Sequence, residues 1–119
     1  MNTVEAMTPY PQTVRPEMFL ADAAAIMHEH HVRHLPVVDQ TSTVIGMLSD
    51  RDVRSGAPWI MVEDVMSMPA LVVPFDTPLV DVARRFAMLR IGALPVTDKF
   101  GALIGIVSYV DALRELSRE

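Results

Sequence analysis

Apolar residues recur at Leu20, Ala23, Ala24 and Met27, and again at Leu79, Val82, Ala83 and Phe86. Both sets follow the i, i+3, i+4, i+7 spacing of a helix buried along one stripe. The pattern predicts helices over about 19–31 and 78–90. Thr77 before Pro78 reads as an N-cap followed by proline in the first helical position. After each helix come two short apolar runs rich in β-branched residues, 35–38 with 44–48 and 94–97 with 102–107. The polar turns Asp39-Gln40-Thr41-Ser42-Thr43 and Asp98-Lys99-Phe100-Gly101 join them. Such pairs predict β-hairpins. Ahead of each helix lies a short extended stretch, Thr13-Val14 in one place and Leu71-Val72-Val73 in the other. A last helix is expected to open at Ser49 and at Ser108.

These parallels reflect an internal repeat. His34-Leu35-Pro36-Val37-Val38-Asp39 answers to Ala93-Leu94-Pro95-Val96-Thr97-Asp98, an offset of 94 − 35 = 59. Without a gap, the same offset carries Met7 onto Met66, Leu20 onto Leu79, Gly46 onto Gly105, Ser49 onto Ser108 and Asp52 onto Asp111. Each copy is a β-α-β-β-α unit of about 55 residues, too small to bury enough apolar surface comfortably alone. The expected architecture is therefore α/β (α+β), two tandem units packed sheet to sheet with pseudo-two-fold symmetry. Their expected limits are 1–54 and 62–119, with 55–61 as the hinge.

Composition narrows the function. Of 119 residues, 50% are hydrophobic and 21% charged, the balance of a globular chain. No apolar run reaches the roughly 18 residues of a membrane span. The first residues have neither a basic nor an apolar leader region, so no secretory signal is expected and a cytoplasmic address fits. Cysteine is absent, which excludes disulfides, thiolate metal sites and thiol nucleophiles. The net charge of −5 argues against a broad nucleic-acid backbone footprint. No paired carboxylates or nucleophile–base set suggests an enzyme. His28 and His31 share a helix face, but His30 points elsewhere and His34 begins a strand. Two ligands are too few for zinc, so no metal site is expected.

Three motifs stand twice: Met-Thr or Met-Ser near each start, Leu-Pro-Val-x-Asp, and Gly-h-h-Ser-x-x-Asp, where h is apolar. The last is Gly46-Met47-Leu48-Ser49-Asp50-Arg51-Asp52 and Gly105-Ile106-Val107-Ser108-Tyr109-Val110-Asp111. By these residues the chain resembles the CBS (cystathionine β-synthase) domain pair, or Bateman module, over nearly its whole length. The resemblance implies a stand-alone CBS domain protein. It would be a regulatory module that binds an adenosyl ligand, with AMP, ADP, ATP and S-adenosylmethionine as candidates and no obligatory cofactor. The implied partners are a homodimer mate and an effector protein.

Ser-x-x-Asp at a helix start has two readings. It is a capping box, or its carboxylate accepts hydrogen bonds from both hydroxyls of a ribose. The resemblance implies the second role, more firmly for Asp111 than for Asp52. It also implies that each cleft joins the Ser-x-x-Asp of one unit to the residues before the Leu-Pro-Val strand of the other. One cleft would gather Ser108 and Asp111 with Val32, Arg33 and His34, and Arg51 could reach the same phosphates. Val14, Val32 and Ile106 would lie against the base, with Thr13, Arg15 and Pro16 as neighbours. The second, weaker cleft would gather Ser49 and Asp52 with Ile91, Gly92 and Ala93, which offer no cation. Because guanidinium groups bind phosphate with charge-assisted bonds, one good site and one weak site are expected. The other open reading is an interaction or dimerisation scaffold with vestigial clefts.

Overall fold

The computed structural model describes residues 1–118; Glu119, the last residue of the expected second repeat, lies outside them. Two short segments lead, α1 (Thr3–Ala6) and β1 (Thr8–Pro9). The first repeat follows as α2 (Leu20–His30), β2 (His34–Val38), β3 (Val44–Ser49) and α3 (Asp50–Ser55). After a 3-10 turn at Val62–Asp64, the second repeat runs β4 (Val73–Pro74), α4 (Leu79–Leu89), β5 (Ala93–Thr97), β6 (Leu103–Ser108) and α5 (Tyr109–Leu116). Both helices and both hairpins stand where the apolar spacing placed them.

The chain divides into two compact units, and they are not the contiguous repeats. The first unit is Gln12–Ala70; the second joins Met1–Pro11 to the chain from Leu71 onward. The expected hinge at 55–61 belongs wholly to the first unit, where Ile60 and Pro58 carbonyls accept from the Leu20 and Ala21 amides at 2.9 and 3.0 Å. The chain passes between the two compact units at 11/12 and 70/71.

The physical reason is an exchange of leading segments. β1 pairs antiparallel with β6, Thr8 opposite Ile106, so the opening Met7-Thr8 lies on the second repeat's hairpin. The equivalent Met66-Ser67 bridges to the first repeat's hairpin, Ser67 opposite Met47, with mutual 3.0 Å hydrogen bonds. In the second unit the sheet runs β1-β6-β5-β4, with β5–β6 antiparallel and β4 parallel to β5. The first unit repeats that order in reduced form. Ser67, β3, β2 and Val14 occupy the four lanes, with Val14 bridged in parallel to Val37.

The exchange explains the glycine of each motif. A Cβ on Gly46 would stand 2.8 Å from the Ser67 carbonyl oxygen and 2.9 Å from the Met66 sulfur. A Cβ on Gly105 would press on the Met7 sulfur and come within 3.0 Å of the Thr8 oxygen. Only glycine lets the incoming segment approach that closely.

Helix starts follow the same plan. Pro78 is extended (φ −55°, ψ 135°) and bridged to Asn2, so α4 begins one residue later than expected, and Thr77 is not its N-cap. The Met1 carbonyl accepts from the Leu79 amide at 2.9 Å, taking the place of a side-chain cap. Thr77 instead offers its carbonyl to the amide and hydroxyl of buried Thr3, at 2.9 and 2.7 Å. Both helices end on a left-handed residue, His31 and Arg90, one offset apart.

Seven core residues of the first unit match seven of the second: Val14, Leu20, Ala23, Met27, Leu35, Val37 and Leu48 against Val73, Leu79, Val82, Phe86, Leu94, Val96 and Val107. Of the predicted stripes, Leu20, Ala23 and Met27, like Leu79, Val82 and Phe86, are buried, while Ala24 and Ala83 sit at the margin. Truncating such a leucine costs about 2–5 kcal/mol. The motif aspartates organise the hairpin turns: Asp39 Oδ1 accepts from the Thr41 and Thr43 amides, and Asp98 Oδ1 from those of Phe100 and Ala102. The bonds from Thr41 hold the exposed Asp39 carboxyl below its ordinary pKa.

Gly46→Ala is expected to destabilise the protein by about 1–3 kcal/mol, because the Ser67 carbonyl cannot yield as a flexible side chain does. Urea denaturation checks this. An unchanged midpoint would mean that the exchanged segment is not held against β3.

Candidate functional site

Each unit brings its Ser-x-x-Asp helix start beside the entry to its Leu-Pro-Val strand. In the first unit His34 stands opposite Ser49 in the β2–β3 register, and the Asp50 amide donates to the Arg33 carbonyl at 2.8 Å. Arg33, His34, Ser49, Asp50, Arg51 and Asp52 therefore share one end of the hairpin. In the second unit Ala93 stands opposite Ser108, and the Tyr109 amide donates to the Gly92 carbonyl at 3.0 Å. The backbone is the same; the charge is not. Four of the five ionisable positions in the first cluster become Gly92, Ala93, Tyr109 and Val110 in the second.

Both copies form the capping box. Ser49 Oγ accepts from the Asp52 amide at 3.1 Å, and Asp52 Oδ2 accepts from the Ser49 amide at 2.8 Å. The equivalent Ser108–Asp111 bonds are 3.0 and 3.2 Å. One oxygen of each carboxylate is thus committed to its own helix start. The other oxygens differ. Asp111 Oδ1 meets Arg114 Nη1 at 3.4 Å, whereas Asp52 Oδ1 has no hydrogen-bond partner among the described residues. Position 55, one offset before Arg114, is Ser55, whose hydroxyl donates to the Asp52 backbone carbonyl. Arg114 was missed from the sequence, although an Arg three residues after an Asp on a helix is a readable pairing signal.

Arg33 and Arg51 are exposed, and neither forms an ion pair with any described residue. Arg15 is half-buried, 3.3 Å from Glu17, with its Nε buried and unpartnered among the described residues. Val14 is 1% exposed and its side chain belongs to the core, with Val32 packed beside that core. Thr13 and Pro16 flank Val14 half-buried. In the second unit, Ile106 is half-buried opposite Thr8 and Pro95, Ile91 packs on the core, and Gly92 is exposed. Among the described residues, no three His, Asp or Glu side chains converge as metal ligands.

Burial pushes the His34 imidazole below its ordinary pKa of about 6.5. Asp52 and then Asp50 oppose the shift, and Arg33 adds to it. At neutral pH His34 is therefore uncharged, a hydrogen-bonding group and not a cation.

These motifs and this fold are those of a known family. A CBS domain profile matches residues 4–57 and 62–118. The chain belongs to the CBS domain family, as two tandem repeats. It is 33% identical over 124 residues to the CBS domain-containing protein YhcV of Bacillus subtilis, spanning 97% of this chain and 86% of that protein. Among solved structures, CBSX2 in complex with AMP matches with a TM-score of 0.85 and 30% identity, covering 98% of this chain and 96% of that one. The cytosolic domain of the Mg2+ channel MgtE in complex with ATP matches with a TM-score of 0.81 and 31% identity, covering 92% of this chain and 46% of that one. The inosine-5'-monophosphate dehydrogenase of Bifidobacterium longum is 33% identical over 109 residues. Against it and two other long curated relatives, the chain spans only 20–24% of their length. No helix among the described residues is long and apolar enough to cross a membrane.

The His34 shift fixes a pH dependence. Between its depressed folded pKa and the ordinary value the unfolded chain binds more protons, so stability rises with pH there and is lost as pH falls below about 6.5. His34→Ala, the residue of the second copy, is expected to flatten the fall in melting temperature between about pH 7 and pH 5.5. Parallel slopes for the variant and the parent would show that His34 is not the group responsible.

Proposed function

We propose that the chain is a regulatory adenosyl-ligand module, not an enzyme, which passes ligand occupancy to a partner protein. One observation carries this reading. CBSX2, 30% identical and matched over 98% of this chain, is an AMP complex. The ATP complex of the MgtE cytosolic domain supports the same ligand class. A cytoplasmic, self-associating protein is part of the proposal.

In this reading Asp111 and Ser108 hold the ribose, with Ile106 against the base. Arg33 and Arg51 supply charge for phosphate, with His34 beside them, while Val14 and Val32 join Ile106 against the base and Thr13, Arg15 and Pro16 are its neighbours. The guanidiniums of Arg33 and Arg51, which form no ion pair with any described residue, support the phosphate role, since Arg makes charge-assisted and often bidentate bonds to such anions. Ser49, Asp52, Ile91, Gly92 and Ala93 form the second, weaker set. Asp111 must exchange its contact with Arg114 for sugar hydroxyls, while its capping bond can persist through the other oxygen. The scaffold reading draws on the same geometry, because both aspartates already have work in capping the helices.

A calorimetric and melting-temperature panel of AMP, ADP, ATP, adenosine and S-adenosylmethionine tests the proposal. A true ligand at 100 times its dissociation constant adds about 2.7 kcal/mol of stability. If no adenosyl compound shifts the melting temperature, the scaffold reading replaces it.

Asp111→Asn keeps an oxygen for the cap, so it is expected to weaken binding at little cost in stability, and Asp52→Asn to weaken it less. Equal losses from the two would remove the predicted asymmetry. Arg33→Ala is expected to weaken AMP binding much more than adenosine binding. A coupling energy in the Asp111→Asn/Arg33→Ala double-mutant cycle would tie both residues to one ligand, whereas strict additivity would count against it.

A further inference from the structure

In the first unit two stretches of chain, 16–21 and 58–63, run side by side in opposite directions. The Glu63 amide donates to the Pro16 carbonyl at 2.9 Å and the Val62 amide to the Met18 carbonyl at 2.8 Å. The Leu20 and Ala21 amides return bonds to Ile60 and Pro58. Phe19 and Met61 are direct antiparallel partners, so their side chains leave this ladder on the same side. Trp59, the one tryptophan of the chain, stands in the adjoining turn, which the Ile60 amide closes on the Ala57 carbonyl at 3.2 Å. All three side chains are open to water: Trp59 is 75%, Phe19 50% and Met61 37% exposed.

The second unit shows that the ladder does not need them. There the Val4 amide bonds to Phe75, Thr3 to Thr77 and Leu79 to Met1, with Asn2 opposite Pro78. One offset apart, Phe19 has become Pro78, Met61 Asn2 and Glu63 Val4. Pro78 and Asn2 serve the backbone equally well. The exposed Phe19 and Met61 therefore answer to something other than the fold.

Charge points to what covers them. Glu17 and Glu63 stand at one end of the ladder, and Asp22 lies in the first turn of α2, its amide bonded to the Phe19 carbonyl at 3.1 Å. Asp64 follows Met61 by three residues, its Oδ2 accepting from the Met61 amide at 3.0 Å. All four acids are exposed. Arg15, 3.3 Å from Glu17, is the one described cation that pairs with any of them. So acidic a rim repels an identical face of a second copy, and it repels phosphate backbones and acidic lipids alike. A cationic peptide is attracted, and the open indole suits a guanidinium laid on its face. Trp, Phe and Met are also side chains enriched at protein contacts.

We infer that the Phe19–Trp59–Met61 face of the first unit is a docking surface for the partner protein, and that it takes a basic segment bearing apolar side chains. The inference rests on the reading of the chain as a module that acts on a partner, and it names the surface and the chemistry of that partner.

The probe is a synthetic, tryptophan-free peptide of arginines and leucines at helical spacing, set against a counterpart with glutamate for arginine. Added to the full chain without adenosyl ligand, the basic peptide is expected to shift Trp59 emission to the blue, with one-to-one stoichiometry. The shift should weaken as salt is raised, and the acidic counterpart should leave the emission unchanged. By calorimetry, Trp59→Ala is expected to weaken binding of the basic peptide by about tenfold or more, and Glu17→Lys with Glu63→Lys likewise. Glu29→Lys, the same charge change near the far end of α2, should alter the affinity by less than about twofold. Circular dichroism checks that the variants are folded; if Trp59→Ala is not, Phe19→Ala takes its place. No emission shift, equal binding of the acidic peptide, or equal losses from Glu29→Lys and the Glu17/Glu63 pair would overturn the proposal. So would sedimentation equilibrium in which Trp59→Ala separates two copies of the chain, because the face would then be covered by itself. If adenosyl compounds leave the melting temperature unchanged while the peptide still moves Trp59 emission, the surface stands and the ligand reading alone is lost. The reverse result removes the surface and leaves the ligand.

Discussion

The close approach of Ser67 and Met66 to Gly46, and of Thr8 and Met7 to Gly105, is the contact on which the rest depends. Each glycine leaves room for a strand segment that begins the other repeat. With that segment seated, the hairpin gains a third lane, and the residues just before the segment reach the start of the neighbouring helix. The Leu20 and Leu79 amides then find backbone carbonyls, from Ile60 and Met1. A side chain at either glycine would block the segment and disturb both the sheet edge and the helix start. The exchange also makes each compact unit depend on chain from both repeats, so neither contiguous half contains a whole unit.

After duplication the frame was kept while the charge pattern diverged. The core positions, the hairpin-turn aspartates, the left-handed helix ends and both capping boxes occur at the constant offset. They hold backbone and exclude water, and a change in one copy would cost stability. The core tolerates apolar exchanges such as Ala23 for Val82 and Met27 for Phe86, whereas the changes in charge lie at the hairpin entry and on the outward helix faces. Arg33-His34 becomes Gly92-Ala93, and the charged α2/α3 surface becomes the apolar α4/α5 surface. Two copies with one skeleton thus carry different electrostatics and different outward faces.

The Ser-x-x-Asp element shows how a fold residue can also serve a ligand. A carboxylate has two oxygens, and the cap occupies one. The second has no hydrogen-bond partner among the described residues on Asp52 and meets Arg114 on Asp111. Availability for a sugar is therefore set by the neighbour three residues on, and the two copies differ there by a single residue type, Ser55 against Arg114.

Apolar spacing alone located α2 and α4, because a helix buried on one side must repeat its apolar contacts every three or four residues. Hairpins were legible from β-branched runs bounded by turn formers, and the repeat from its constant offset. The Ser49 and Ser108 caps were local, so their spacing was enough to foresee them. Other features depend on partners distant in sequence. The displacement of Thr77 as N-cap required Asn2 to bridge Pro78, more than seventy residues away in the chain. The crossings at 11/12 and 70/71 followed from β1 pairing with β6. The lowered His34 pKa required burial, which no sequence pattern measures. Sequence by itself determined what depends on neighbours a few residues apart. Only the tertiary structure decided which distant segments pair, because backbone hydrogen bonds carry no side-chain signature by which their partners could be read.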